Sequence, residues 1–207
     1  HAALDKAVAD AEVRAIVLTG NGKAFCAGGD LSYLNGLNGT AEKKSFIAKV
    51  GDVAKRITTI EKPVIAWVNG VTAGAGVNLM LACDLIYASG KARFGESFAK
   101  VGLIPDCGGL YFLPKAIGVH KAKELMFTGD LIDAATAKEL GMLNHVCEDA
   151  ELKDKVYEMA ARLAASAPLA IGLTKKYLNN TALTLDEVLA IEETTQALLM
   201  GTDDCKE

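Results

Sequence analysis

The chain has 207 residues, of which 51% are hydrophobic and 23% charged, the proportions of a folded globular domain rather than of a disordered or collagen-like chain. A net charge of −4 argues against a broad nucleic-acid footprint, and glycine breaks the uncharged runs before they reach membrane-spanning length. Residues 1–6 lack the basic-then-apolar layout of a secretory leader, and the five cysteines include no Cys-x-x-Cys pair, which predicts a reduced, cytoplasmic chain without a disulfide or zinc framework.

Residues 3–11 read as the end of a helix, 14–19 (RAIVLT) as a buried strand and 40–60 as a long amphipathic helix. Pro63 opens a second strand over 64–68 (VIAWV); after the glycines of 70–76 come an apolar helix over 77–83 and a third strand over 84–88 (DLIYA). Strands alternating with helices predict an α/β fold with a largely parallel sheet. A helix is an odd opening for such a sheet, so one or two further strands are expected ahead of residue 1.

The second half reads as mainly helical. Segments 120–128 and 133–140 each end at a glycine placed as a C-cap, Gly129 and Gly141. A short strand over 142–147 and helices over 151–166 and 169–179 follow. Thr184 and Glu187 form a capping box that opens a last helix reaching Met200. Its Leu185, Val188, Leu189 and Leu199 make an apolar face that fits either a partner subunit or the chain's own core. This divides the chain into a core over residues 1–118 and a helical region over 119–207.

Three loops follow strands and concentrate small residues: 20–30, 70–76 and 102–109. In an α/β sheet such loops converge on the ligand crevice, where small side chains leave backbone N–H groups open to a substrate. Familiar glycine motifs fail here. Gly74-Ala75-Gly76 lacks the third glycine of a dinucleotide fingerprint, no Gly-Lys-Ser/Thr is present, and Gly95-Glu96-Ser97-Phe98-Ala99 breaks the nucleophile elbow. His1, His120 and His145 lie away from these loops. Cys83 reads as core, and Cys26 and Cys107 have no evident activating partner. Backbone donors and one conspicuous carboxylate, Asp106, remain.

The segments 23–31 (KAFCAGGDL), 62–66 (KPVIA), 69–76 (NGVTAGAG), Cys83-Asp84, Ala92-x-Phe94-Gly95 and 102–109 (GLIPDCGG) are similar, in order and spacing, to the enoyl-CoA hydratase/isomerase (crotonase) family. The match runs from about residue 5 to residue 204. Each motif is modest alone, and together they are highly specific. The resemblance implies a spiral of ββα units followed by a C-terminal helical trimerisation region, with N-terminal strands and a C-terminal helix lying outside this sequence. It also implies an acyl-CoA thioester substrate whose enolate is held in an oxyanion hole.

Carried onto this chain, the hole is formed by the backbone N–H groups of Ala27 and Ala75, the latter where glycine is usual. Substrate-binding positions are Ala24, Gly28, Asp30, Leu31, Gly74, Asn78, Phe98, Val101 and Pro105. The two glutamates with which the family's hydratases activate water fall on Asn78 and Phe98, neither of which exchanges a proton at neutral pH. Asp106 stands where several of the family's isomerases place a single acid, and a double-bond shift needs only one proton shuttle.

The expected reaction is therefore a double-bond shift with Asp106 as general acid and base. Phe98, Val101, Leu103 and Ile104 are expected to raise its pKa by desolvation. The alternatives are a turn or N-cap role for Asp106, with Glu96 as reserve acid, and Asp30 is expected to cap the loop backbone. At the level of function the rivals are hydration of a 2-enoyl-CoA and a non-catalytic acyl-CoA-binding subunit. No metal or cofactor is expected, since CoA is part of the substrate, and no nucleic-acid or membrane partner. The expected assembly is a homotrimer or a dimer of trimers.

Overall fold

A computed structural model of the chain describes residues 1–180 and 182–206. After α1 (Ala2–Ala9), strands β1 (Ile16–Thr19) and β2 (Ala24–Cys26) lead into α2 (Leu31–Gly36) and α3 (Gly39–Thr59). Strands β3 (Val64–Val68) and β4 (Val71–Ala73) lead into α4 (Ala75–Leu81). Strands β5 (Leu85–Ser89) and β6 (Arg93–Gly95) lead into a 3-10 turn (Ser97–Val101) and α5 (Gly109–Ile117).

The two strands of each unit go to different sheets. One sheet has the order β1-β3-β5 and the other β2-β4-β6, all parallel. Each unit thus stacks on the one before, which is the ββα spiral. After α6 (Val119–Thr128), β7 (Ile132–Asp133) pairs antiparallel with β6. After α7 (Ala134–Glu139), β8 (His145–Cys147) extends the first sheet parallel to β5. Beyond residue 118 the chain is mainly helical, and its two short strands add one strand to each sheet.

Strand β3 reads VIAWV because both its faces are covered. Val64, Ala66 and Val68 pack with Val77 and Met80 of α4, while Ile65 packs on the other face with Tyr87, Leu152 and Val156, the last two from α8 (Asp149–Ala164). The alternation follows from the two-residue period of side chains along a strand.

Helix α9 (Pro168–Leu178) is tied to this core by one buried ion pair. Lys175 Nζ lies 2.7 Å from Asp84 Oδ2 and donates to the Lys62 carbonyl at 3.2 Å. The same Asp84 oxygen accepts the Val64 N–H at 2.7 Å. Burial pushes the Asp84 carboxyl up from its ordinary value, and the Lys175 ammonium pulls it back.

The capping box of Thr184 and Glu187 opens α10 (Leu185–Leu199) as the sequence predicts. None of its residues is buried, and Leu185 is 71% exposed. The chain's own residues cover its apolar face only in part: Val188 and Leu199 are half-buried, whereas Leu185 and Leu189 stand exposed. Among the described residues no helix is long and apolar enough to cross a membrane.

Candidate active site

Strands β2, β4 and β6 are neighbours in one parallel sheet, with Cys26 paired to Thr72 and Ala73 paired to Gly95. Their C-terminal ends therefore release Ala27, Gly74 and Glu96 side by side. Gly74 donates its N–H to the Gly95 carbonyl at 2.8 Å and, at φ 52°, turns the chain into α4. A methyl group placed on Gly28 would sit 3.1 Å from the Ala73 carbonyl oxygen and 3.9 Å from the Ala75 nitrogen. The loops carrying Ala27 and Ala75 thus meet.

The close approach has a sequence cause. A Cβ on Gly76 would lie 2.2 Å from the Cys26 carbonyl oxygen, so only glycine lets α4 pack this tightly against β2. Outside the strand ladders and helices, neither the Ala27 nor the Ala75 N–H has a backbone acceptor among the described residues. The Ala75 N–H belongs to the first turn of α4, before the helix's own hydrogen bonds begin.

Asp106 arrives through Asn78. The fully buried Asn78 donates its side-chain Nδ2 to the Asp106 carbonyl at 2.9 Å, and the Gly109 N–H donates to the same oxygen at 2.9 Å. A Cβ on Gly109 would fall 2.4 Å from Asn78 Nδ2. Helix α4 thereby holds the turn that carries the acid. The N-cap of α5 is Gly108, with no side-chain cap, so the N-cap role for Asp106 is not what the fold uses. Cys107 takes the left-handed conformation at φ 50° to make this turn.

The Asp106 carboxyl is pushed up from its ordinary value chiefly by burial, against which its own N–H and the Cys107 thiol act. The direction is the one expected, and Phe98 is buried as expected, but the other three apolar neighbours are not. Val101, Leu103 and Ile104 are 52%, 51% and 75% exposed, because the 3-10 turn and the loop after it run along the surface. The buried residues tied to Asp106 are Asn78, through its carbonyl, and Cys107, through the thiol.

Glu96, only a reserve in the sequence reading, is 2% exposed, and neither of its carboxyl oxygens has a hydrogen-bond partner among the described residues. Burial pushes its pKa up to about 7, with the Asn78 amide lowering it and the Asp106 charge raising it further. Asn78 Oδ1 and Asp106 Oδ1 are likewise buried without a partner. The signal that could have found Glu96 is its place one residue beyond the Phe94-Gly95 strand end, next to Gly74 in register.

The remaining positions divide. Phe98, 8% exposed, lies 3.6 Å from the Cβ position of Gly74 and lines the same wall. The Asp30 carboxylate caps α2, accepting from the Ser32 and Tyr33 N–H groups at 2.8 and 3.2 Å, which leaves it a loop-shaping part. Ala24 lies in β2, and Leu31 opens α2 half exposed. Pro105 leads directly into the Asp106 turn. Burial pushes the Cys83 and Cys107 thiols up to about 12, so neither is a thiolate nucleophile at neutral pH.

Among the described residues no group of three His, Cys, Asp or Glu side chains could hold a metal ion. A separate cleft of about 670 Å³, lined by Cys83, Asp84, Phe112 and Lys175 among others, contains none of the residues converging at the β2-β4-β6 ends.

Known proteins resemble this chain along its whole length. The family model described as enoyl-CoA hydratase/isomerase matches residues 1–207. A short-chain-enoyl-CoA hydratase of Clostridium acetobutylicum is 37% identical over 200 residues, covering 96% of this chain and 76% of that protein. A 1,2-epoxyphenylacetyl-CoA isomerase of Escherichia coli is 37% identical over 203 residues, covering 96% and 77%. The crystal structure of an enoyl-CoA hydratase from Bacillus anthracis superposes with a TM-score of 0.94 at 34% identity, over 100% of this chain and 80% of that one. With a crotonase-type spiral underneath and a family match along its whole length, the chain belongs to the enoyl-CoA hydratase/isomerase family.

Proposed function

We propose that the protein shifts a carbon–carbon double bond in an acyl-CoA thioester, with Asp106 moving the proton and the Ala27 and Ala75 N–H groups holding the enolate oxygen. The observation that carries this reading is the carboxyl inventory of the site. Asn78 and Phe98 can neither take nor give a proton at neutral pH, while Asp106 is fixed beside them by the Asn78 amide.

The steps follow from elementary chemistry. A carboxylate at Asp106 removes a proton from the carbon between the thioester and the double bond. The freed electron pair moves into the thioester carbonyl, and two convergent amides stabilise the negative oxygen. Loss of one such donor typically costs about 3–4 kcal/mol in the transition state. The positive end of the α4 dipole lies beside the Ala75 amide and acts in the same sense. Returning a proton to the far carbon completes the shift. A carboxyl raised above its ordinary value is a better base for a carbon acid than an exposed aspartate.

The test is conversion of 3-enoyl-CoA to 2-enoyl-CoA. Asp106→Asn is expected to reduce turnover at least ~100-fold, the lower end of general acid–base contributions, without changing the melting temperature by more than a few degrees. Unchanged turnover removes Asp106 from the role. Hydration of 2-enoyl-CoA is the second reading, favoured by the hydratase names among the relatives and by a second buried carboxyl at Glu96. Crotonyl-CoA hydration faster than 3-enoyl-CoA conversion decides for it.

A further inference from the structure

We propose that Glu96 is a second proton-carrying carboxyl of this site, delivering the proton to the far carbon while Asp106 removes the proton beside the thioester. The inference rests on the double-bond-shift reading given above.

Asn78 Oδ1, both Glu96 oxygens and Asp106 Oδ1 are buried without a partner among the described residues, and all are hydrogen-bond acceptors when the carboxyls are ionised. A buried acceptor left unpaired is strongly unfavourable. The three residues belong together: Asn78 holds the Asp106 carbonyl, and Glu96 lies under the influence of both the Asn78 amide and the Asp106 charge. No cation contributes to the charge acting on Glu96, and the Cys107 thiol facing the pair is itself neutral. The simplest relief is a proton on Glu96, which turns one surplus acceptor into an O–H donor. Burial to 2% exposure pushes its pKa up to about 7, so a substantial share of the molecules hold that proton at neutral pH.

Its position suits delivery. Glu96 follows directly on Gly95, which pairs with Ala73 and receives the N–H of Gly74, so the acid stands one strand from the turn that presents Ala75. In the step itself, the C–H bond beside the thioester breaks and an O–H bond forms on Asp106, leaving a dienolate. The Glu96 O–H bond then breaks as the far carbon takes its proton, and Glu96 becomes a carboxylate. Passage of the Asp106 proton to Glu96 through water restores both groups, with no change of oxidation state.

Glu96→Gln separates this role from a structural one. In deuterium oxide the variant is expected to convert 3-enoyl-CoA roughly 100-fold more slowly, while deuterium exchange at the carbon beside the thioester, driven by Asp106 alone, continues at close to the unaltered rate. Unchanged conversion overturns the proposal, as does a fall of exchange and conversion by the same factor. If Glu96→Gln fails to fold, the unaltered protein decides with substrate deuterated beside the thioester in ordinary water. Replacement of the label by solvent hydrogen at the far carbon is the expected result, and retention of most of it there overturns the two-carboxyl relay. Conversion that depends on Asp106 but not on Glu96 overturns the relay alone, whereas no conversion by the unaltered protein overturns the double-bond-shift reading as well.

Discussion

Along residues 64–98, Val64, Ile65, Ala66, Val68, Met80, Ala88 and Ala92 are all 0% exposed, whereas among the described residues of 168–206 the only buried ones are Gly172 and Lys175. In the first region the strands and α4 are held by apolar packing on both faces, and the candidate active site forms at its edge. In the second, a single ammonium reaches into the core, and an apolar helix face is only half covered. Position in the first region is set by close contact over many atoms, and in the second by the Asp84 pair, the close approach of Gly172 to Glu61 and a few hydrogen bonds such as Asn179 to the Thr58 carbonyl. Substitutions in the two regions should therefore fail in different ways.

The largest effect is expected where the regions are joined. Lys175→Met leaves the Asp84 carboxylate buried without its cation and should lower stability by about 3–5 kcal/mol, read by urea unfolding. Adding Asp84→Asn should restore most of the loss, since the amide oxygen can still accept the Val64 N–H. Equal losses in single and double variants would show that the pair does not anchor α9.

Next comes the buried acid of the first region. The folded-state pKa of Glu96, about 7, stands above the ordinary glutamate value of 4.5. Between these values the folded protein binds more protons than the unfolded chain, so stability declines as pH rises through that window and levels off above it. Glu96→Gln removes the decline and should gain on the order of 3 kcal/mol at pH 8 relative to pH 4. Parallel pH–stability curves for the two proteins would refute the assignment.

A smaller effect is expected at Gly109. An added methyl meets Asn78 Nδ2 at 2.4 Å, and overpacking of this kind costs roughly 1–3 kcal/mol. Because the displaced amide holds the Asp106 carbonyl, Gly109→Ala should lose turnover as well as melting temperature, whereas Asp106→Asn should lose turnover alone. The smallest change belongs to the second region: Thr184→Ala deletes the α10 capping box and should cost about 1 kcal/mol by thermal unfolding, with turnover unaffected.

Much of the first sheet is legible in the sequence, because β3 is a continuous apolar run and β5 reads DLIYA with one boundary shift. The second sheet is not. Strands β2, β4 and β6 have three residues each, too short for alternation to register, and their strand character comes from pairing with one another. At the site, the glycine loops and Asp106 stand out through composition and the family resemblance. Glu96 does not, since a glutamate beside a glycine reads as surface until the fold shows it sealed between β6 and α4. The same shortfall explains Val101, Leu103 and Ile104: an apolar string predicts burial, yet the turn that carries them lies along the outside.

Because Ala27, Gly74 and Glu96 leave adjacent strands of one sheet, their separation is fixed by a ruler of about 4.8 Å per strand. A substrate held as proposed would meet the amide-bearing bends first and an acid one notch further along. Residues at each notch can be exchanged without altering the pitch, so one scaffold can keep its grip on a reacting oxygen while the proton-transfer partners beside it are redrawn.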